Sequence, residues 1–65
     1  MTNRLRRIRQ EKGISQLRLS YLTGIQPSAI SRVENGHMKA FPGWRKRFAL
    51  ALKVRESDIF GGRDE

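Results

Sequence analysis

The chain of 65 residues has no cysteine and a single histidine, His37. Disulfides and cysteine–zinc sites are therefore excluded, and one isolated histidine offers no metal-ligand spacing. The absence of cysteine accords with a reducing compartment. Long apolar runs are also missing: the longest, residues 48–52, is far too short to cross a bilayer. Arginines at positions 4, 6, 7 and 9 interrupt any apolar stretch near the start, so no secretory leader is expected. The six acidic residues are scattered. No nucleophile–base pair stands at a readable spacing, and there is no glycine-rich phosphate loop. The expectation is a cytoplasmic protein that is not an enzyme and holds no metal or cofactor.

What the chain has in excess is positive charge. Fourteen Lys and Arg against six Asp and Glu give a net charge of +8. Such a density opposes compaction by self-repulsion and points to a polyanionic partner, of which nucleic acid is the commonest. A domain this small buries only about 60% of the surface its unfolded chain exposes, so its few apolar residues must share one core. A membrane-surface helix would keep one apolar face free, whereas here the apolar faces are needed for that core.

Gly13, Gly24, Gly36, Pro42 and the pair Gly61 and Gly62 cut the chain into five segments. Residues 3–12 place Leu5 and Ile8 on one face, with Thr2 or Asn3 as cap and Gly13 as the stop. Residues 15–23 start at Ser15 as N-cap and place Leu19 and Leu22 three apart. A third helix opens on Pro27, whose missing N–H costs nothing at the first helical position, and runs to about Glu34 with Ile30 and Val33 inward. Its N-cap is Gln26. The fourth, from Pro42 or Gly43 to Lys53, aligns Trp44, Phe48, Ala51 and Leu52 in an amphipathic stripe. A short last helix near residues 56–60 carries Ile59 and Phe60. No segment alternates with period two. The fold class is therefore all-α, a compact bundle of five short helices, with one domain over residues 1–60 and a flexible tail over 61–65.

The second and third helices, joined by Gly24-Ile25-Gln26, form a helix-turn-helix. Glycine suits the left-handed residue of such a turn, and Ile25 points inward to set a steep angle between the helices. Gly13-Ile14-Ser15-Gln16, Leu19, Gly24-Ile25 and the run from Ile30 through Ser31, Arg32, Val33, Glu34 and Asn35 to Gly36 together resemble the Cro/repressor (XRE-like) helix-turn-helix family. The resemblance spans nearly the whole chain, from Arg4 to Phe60. It implies a lambda-repressor-like domain that binds double-stranded DNA and inserts Pro27–Glu34 into the major groove.

That resemblance also implies roles. Gln26, Pro27, Ser28 and Arg32 match the family's base-reading positions. Arg32 is suited to guanine O6 and N7, with a phosphate contact as its alternative. Ser28 accepts or donates to several bases. Gln26 suits either adenine or a phosphate. Pro27, lacking a polar side chain, offers only apolar contact, for example with a thymine methyl. Gln16, Ser31, Asn35, His37, Lys39 and Arg45 match backbone-contacting positions, Gln16 at a helix N-terminus where free N–H groups favour anions. Arg45 also belongs to the run Arg45-Lys46-Arg47, whose plain reading is a solvated face. Arg9 and Glu34 resemble the partly buried arginine–carboxylate pair of some phage repressors; the plainer alternative for Arg9 is a phosphate contact.

The function read from this sequence is a sequence-specific transcriptional regulator, a stand-alone repressor that forms a homodimer on DNA. Leu50 and Leu17 lie off the core faces, and Leu50 with Phe60 is expected to make the dimer contact. The alternative is an antitoxin or adaptor that binds a toxin or another regulator as well as DNA, although little chain follows Phe60 to wrap a toxin.

Overall fold

Residues 3–61 are described in the computed structural model. Their elements follow the glycine and proline punctuation: α1 (Leu5–Glu11), α2 (Gln16–Thr23), α3 (Pro27–Glu34), α4 (Pro42–Leu52) and α5 (Glu56–Phe60). No strand occurs among them. Thr2 and residues 62–65 of the expected tail lie outside the described residues.

Local chemistry accounts for the boundaries. The Ser15 side chain accepts a hydrogen bond from Arg18 N at 3.0 Å, the expected N-cap of α2. Asn3 accepts from Leu5 N at 2.9 Å, so it serves the start of α1 although Arg4 occupies the cap position itself. Pro42 opens α4, and Gln26 and Phe41 precede their helices without side-chain caps. Gly24 ends α2 at φ 73°, a left-handed conformation that a Cβ would strain. The end of α4 departs from expectation. The helix stops at Leu52, and Lys53 takes the left-handed position at φ 57°. Backbone bonds from Lys53 N to Leu50 O and from Val54 N to Ala49 O close that turn without a glycine.

One core gathers all five helices. Leu5, Leu19, Ile30, Val33 and Phe48 are fully buried, and Ile25, Leu52 and Ile59 nearly so. Each such side chain stabilises the fold by about 1.5–3 kcal/mol through its removal from water. Ile25 in the turn packs into this core, as its position between the two helices requires. Trp44 and Ala51 pack against it partly buried.

Two expectations about packing need correction. Leu22 is 46% exposed. The inward stripe of α2 runs from Leu19 to Thr23, four residues on, and carries Leu22 out of it. Thr23 is buried instead, donating to Leu19 O at 2.8 Å and accepting from Ile25 N at 3.2 Å. Phe60 is not part of an exposed patch with Leu50. It is buried against Phe48, with ring centroids 6.3 Å apart, while Leu50 is 78% exposed.

Candidate nucleic-acid interface

The helix-turn-helix is held from behind by a buried polar cluster centred on Glu34, the last residue of α3. Arg9 of α1 forks onto its carboxylate, Nε to Oε2 at 2.6 Å and Nη2 to Oε1 at 3.1 Å. Both side chains are nearly or wholly removed from solvent. Arg9 also donates to Ile14 O at 2.9 Å, so one guanidinium ties α1, the loop before α2 and α3 together. Gln16, the first residue of α2, donates from Nε2 to Glu34 Oε1 at 3.0 Å. Arg6 reaches the same oxygen at 3.5 Å. Burial alone would raise the Glu34 carboxyl. Hydrogen bonds from Arg9, Gln16 and Arg6, with the Arg9 charge, outweigh it and hold the group below its ordinary value of 4.5.

This cluster settles the role of Arg9, which is architectural. It also places Gln16: the amide nitrogen is directed to Glu34, at the C-terminal end of α3. Around that same end stand Asn35 and Ser31, joined by a bond from Asn35 Nδ2 to Ser31 Oγ at 3.4 Å. Arg6 donates to Asn35 Oδ1. The backbone N–H of His37 donates to Arg32 O at 2.9 Å, folding the following loop back over the helix end. Asn3 closes the end from below, donating to Val33 O at 3.0 Å.

The outer face of α3 is different. Gln26, Pro27, Ser28 and Arg32 are all exposed. The Arg32 side chain makes no hydrogen bond or ion pair among the described residues. Eight residues of helix extend for about 12 Å, comparable with the width of the major groove. The structure thus places Pro27, Ser28 and Arg32 on the exposed side of α3 with Gln26 at its N-cap, and groups Gln16, Ser31 and Asn35 at its far end.

Lys39 and Arg45 are set apart from both groups. They line a cavity with Arg4 and Phe60, and the Arg45 guanidinium carbon lies 4.8 Å from the centre of the Phe60 ring. The α4 residue that turns toward the helix-turn-helix is Arg47, whose Nη1 donates to Thr23 O at 3.4 Å. Sequence reasoning missed Arg6 and Asn3 as partners of the reading helix. The spacing of Arg6 to Arg9, one helical turn on the same face, was the available signal.

A helix with one exposed side, braced by a buried ion pair on a body of net charge +8, is the arrangement of a DNA-binding helix-turn-helix module. The chain belongs to the helix-turn-helix family of DNA-binding transcription regulators, of the Cro/C1 type; the family's sequence profile matches residues 5–40, more than half of the chain. Among solved structures it is similar to the restriction-modification controller protein C.AhdI from Aeromonas hydrophila. The two share 33% identity and a TM-score of 0.83, over 88% of this chain and 86% of that one. No curated protein matches the chain. No helix among the described residues is long and apolar enough to cross a membrane.

Proposed function

We propose that the chain is a repressor that reads a specific double-stranded DNA site through the major groove. The observation that carries this reading is the outward face of α3, where Arg32, Ser28, Pro27 and Gln26 are exposed on a helix fixed from behind. Arg32 reads a guanine by two hydrogen bonds, and Ser28 and Gln26 read beside it. Gln16, Ser31, Asn35, His37, Lys39 and Arg45 hold the backbone. With so few base contacts, DNA shape sensed through that grip carries a share of the selectivity. The likeness to a restriction-modification controller favours genes of a restriction-modification system as the target.

The active form on DNA is a homodimer, because two reading helices about 34–36 Å apart match successive turns of the groove. Leu50 is the contact we assign to it. It is exposed beside a shallow depression lined by Lys46, Ala49, Arg55 and Glu56, whose mixed charges suit a two-fold contact with a second copy. Leu50→Glu is expected to weaken operator binding while leaving thermal unfolding unchanged; equal affinity would remove Leu50 from the interface.

Selection of sites from random duplex DNA tests the reading. A short palindromic motif is expected, with log K falling against log salt at a slope near −5 if about six phosphates are neutralised. Failure to recover any motif would reject specific regulation.

A further inference from the structure

Between the loop that follows α3 and the end of α5 the surface opens into a cavity of about 560 Å³. That volume lies in the range of small-molecule sites, and a single phosphate group would leave most of it empty. Met38 and Ala40, both partly exposed, give it an apolar wall over the buried Ile59 and Phe60, and Arg4, Lys39 and Arg45 supply its charge. Among the described residues no acidic side chain lines it. Arg4 is exposed, and its side chain makes no hydrogen bond or ion pair among the described residues. Arg45 is half-buried on the Phe60 ring, and its Nε is buried with no hydrogen-bond partner. That nitrogen has no exposed surface, so an anion in the cavity would pair with the Arg45 guanidinium through its other nitrogens.

We propose that this cavity binds a small organic anion, a phosphate monoester or carboxylate that carries an apolar ring or chain. The anionic group pairs with Arg4 and Arg45 while the apolar part covers Met38 and Ala40. Lys39 and Arg45 are also assigned to the DNA backbone, so a bound anion competes with a DNA phosphate for the same charges, while the apolar contact is open to the small molecule alone. The segment from Met38 to Ala40 also joins the reading helix to α4, so occupancy of the cavity is coupled to DNA affinity. That coupling rests on the proposed function; the binding itself does not.

The test is an amide NMR titration of the full chain with phenyl phosphate, set beside inorganic phosphate and benzyl alcohol. Phenyl phosphate is expected to saturate, with shifts clustered at Asn3, Gly36, Met38, Ala40 and Gly61, and to bind at least about tenfold more tightly than either control. Arg4→Gln and Arg45→Gln should each weaken it about tenfold, the loss of one charge-assisted hydrogen bond, while Arg7→Gln leaves it unchanged. If Arg45→Gln does not fold, Arg4→Gln decides the question. Shifts scattered over every basic side chain, equal binding of inorganic phosphate, or full binding by Arg4→Gln would overturn the site. A duplex titration with phenyl phosphate present is expected to show altered affinity. Unchanged affinity alongside saturable NMR binding would overturn the coupling alone, and absence of any specific duplex would overturn the proposed function and leave the cavity standing.

Discussion

On its inner side, α3 presents Ile30, Val33 and Glu34, all buried, the last bonded to three other side chains. On its outer side, with Gln26 at its cap, it presents Pro27, Ser28 and Arg32, all exposed. The inner face is over-determined: apolar packing fixes the depth of the helix and the Arg9–Glu34 fork fixes its rotation. The outer side chains are exposed, and Arg32 makes no side-chain hydrogen bond or ion pair among the described residues. Stability and specificity are therefore separable on one helix of eight residues. Outer residues can change without unfolding the domain, and inner ones cannot.

The largest effect should come from breaking the inner face. Glu34→Ala leaves Arg9 buried without its carboxylate and is expected to cost about 3–5 kcal/mol, measured by urea unfolding. A loss below about 1 kcal/mol would mean that the fork is dispensable. Acid offers a milder way to break the same contact. Because the folded carboxyl lies below its ordinary value of 4.5, its contribution is complete above that pH and is lost as pH falls through the folded pKa. Thermal stability should therefore drop below about pH 4.5, and Glu34→Gln should flatten the part of that drop due to this group.

The next effect lies on the outer face. Arg32→Ala is expected to remove about 1–3 kcal/mol of discrimination at one base position per half-site, measured by competition among single-base variants of the selected site. Lys39→Ala, if Lys39 grips a phosphate, should weaken all sequences alike and reduce the salt slope by about one. The smallest effect is a control remote from both faces. Lys53 is left-handed at the end of α4, so Lys53→Gly should raise stability by about 0.5 kcal/mol by relieving backbone strain. DNA affinity should not change.

Much of this arrangement was legible in the residues. Proline and glycine marked the helix ends, and the three-residue spacing of Ile30 and Val33 gave the inward face of α3. The family resemblance supplied the Arg9–Glu34 pair, whose geometry the structure bears out. Other features were hidden because they depend on tertiary packing. Leu19 has an apolar neighbour three residues on and a threonine four on, and only the angle between α2 and the core selects Thr23 over Leu22. From the sequence Phe60 pairs with Leu50 in an exposed patch, yet in the fold it packs against Phe48 and beneath the Arg45 guanidinium. Arg45 reads as a phosphate contact, with a solvated run as the plain alternative. Its stacking on Phe60 joins residues far apart in the chain, which no local pattern encodes. The sequence reading runs α4 up to Lys53, and backbone bonding ends it at Leu52 with Lys53 as its cap.

The separation of the two faces of α3 is tested most directly by measuring Arg32→Ala twice: its unfolding free energy, and its affinity for every single-base variant of the selected site. Unfolding within about 0.5 kcal/mol of the parent, with lost discrimination confined to one position per half-site, is the predicted result. A uniform loss across all sites, or a destabilised domain with its base preferences intact, would contradict it.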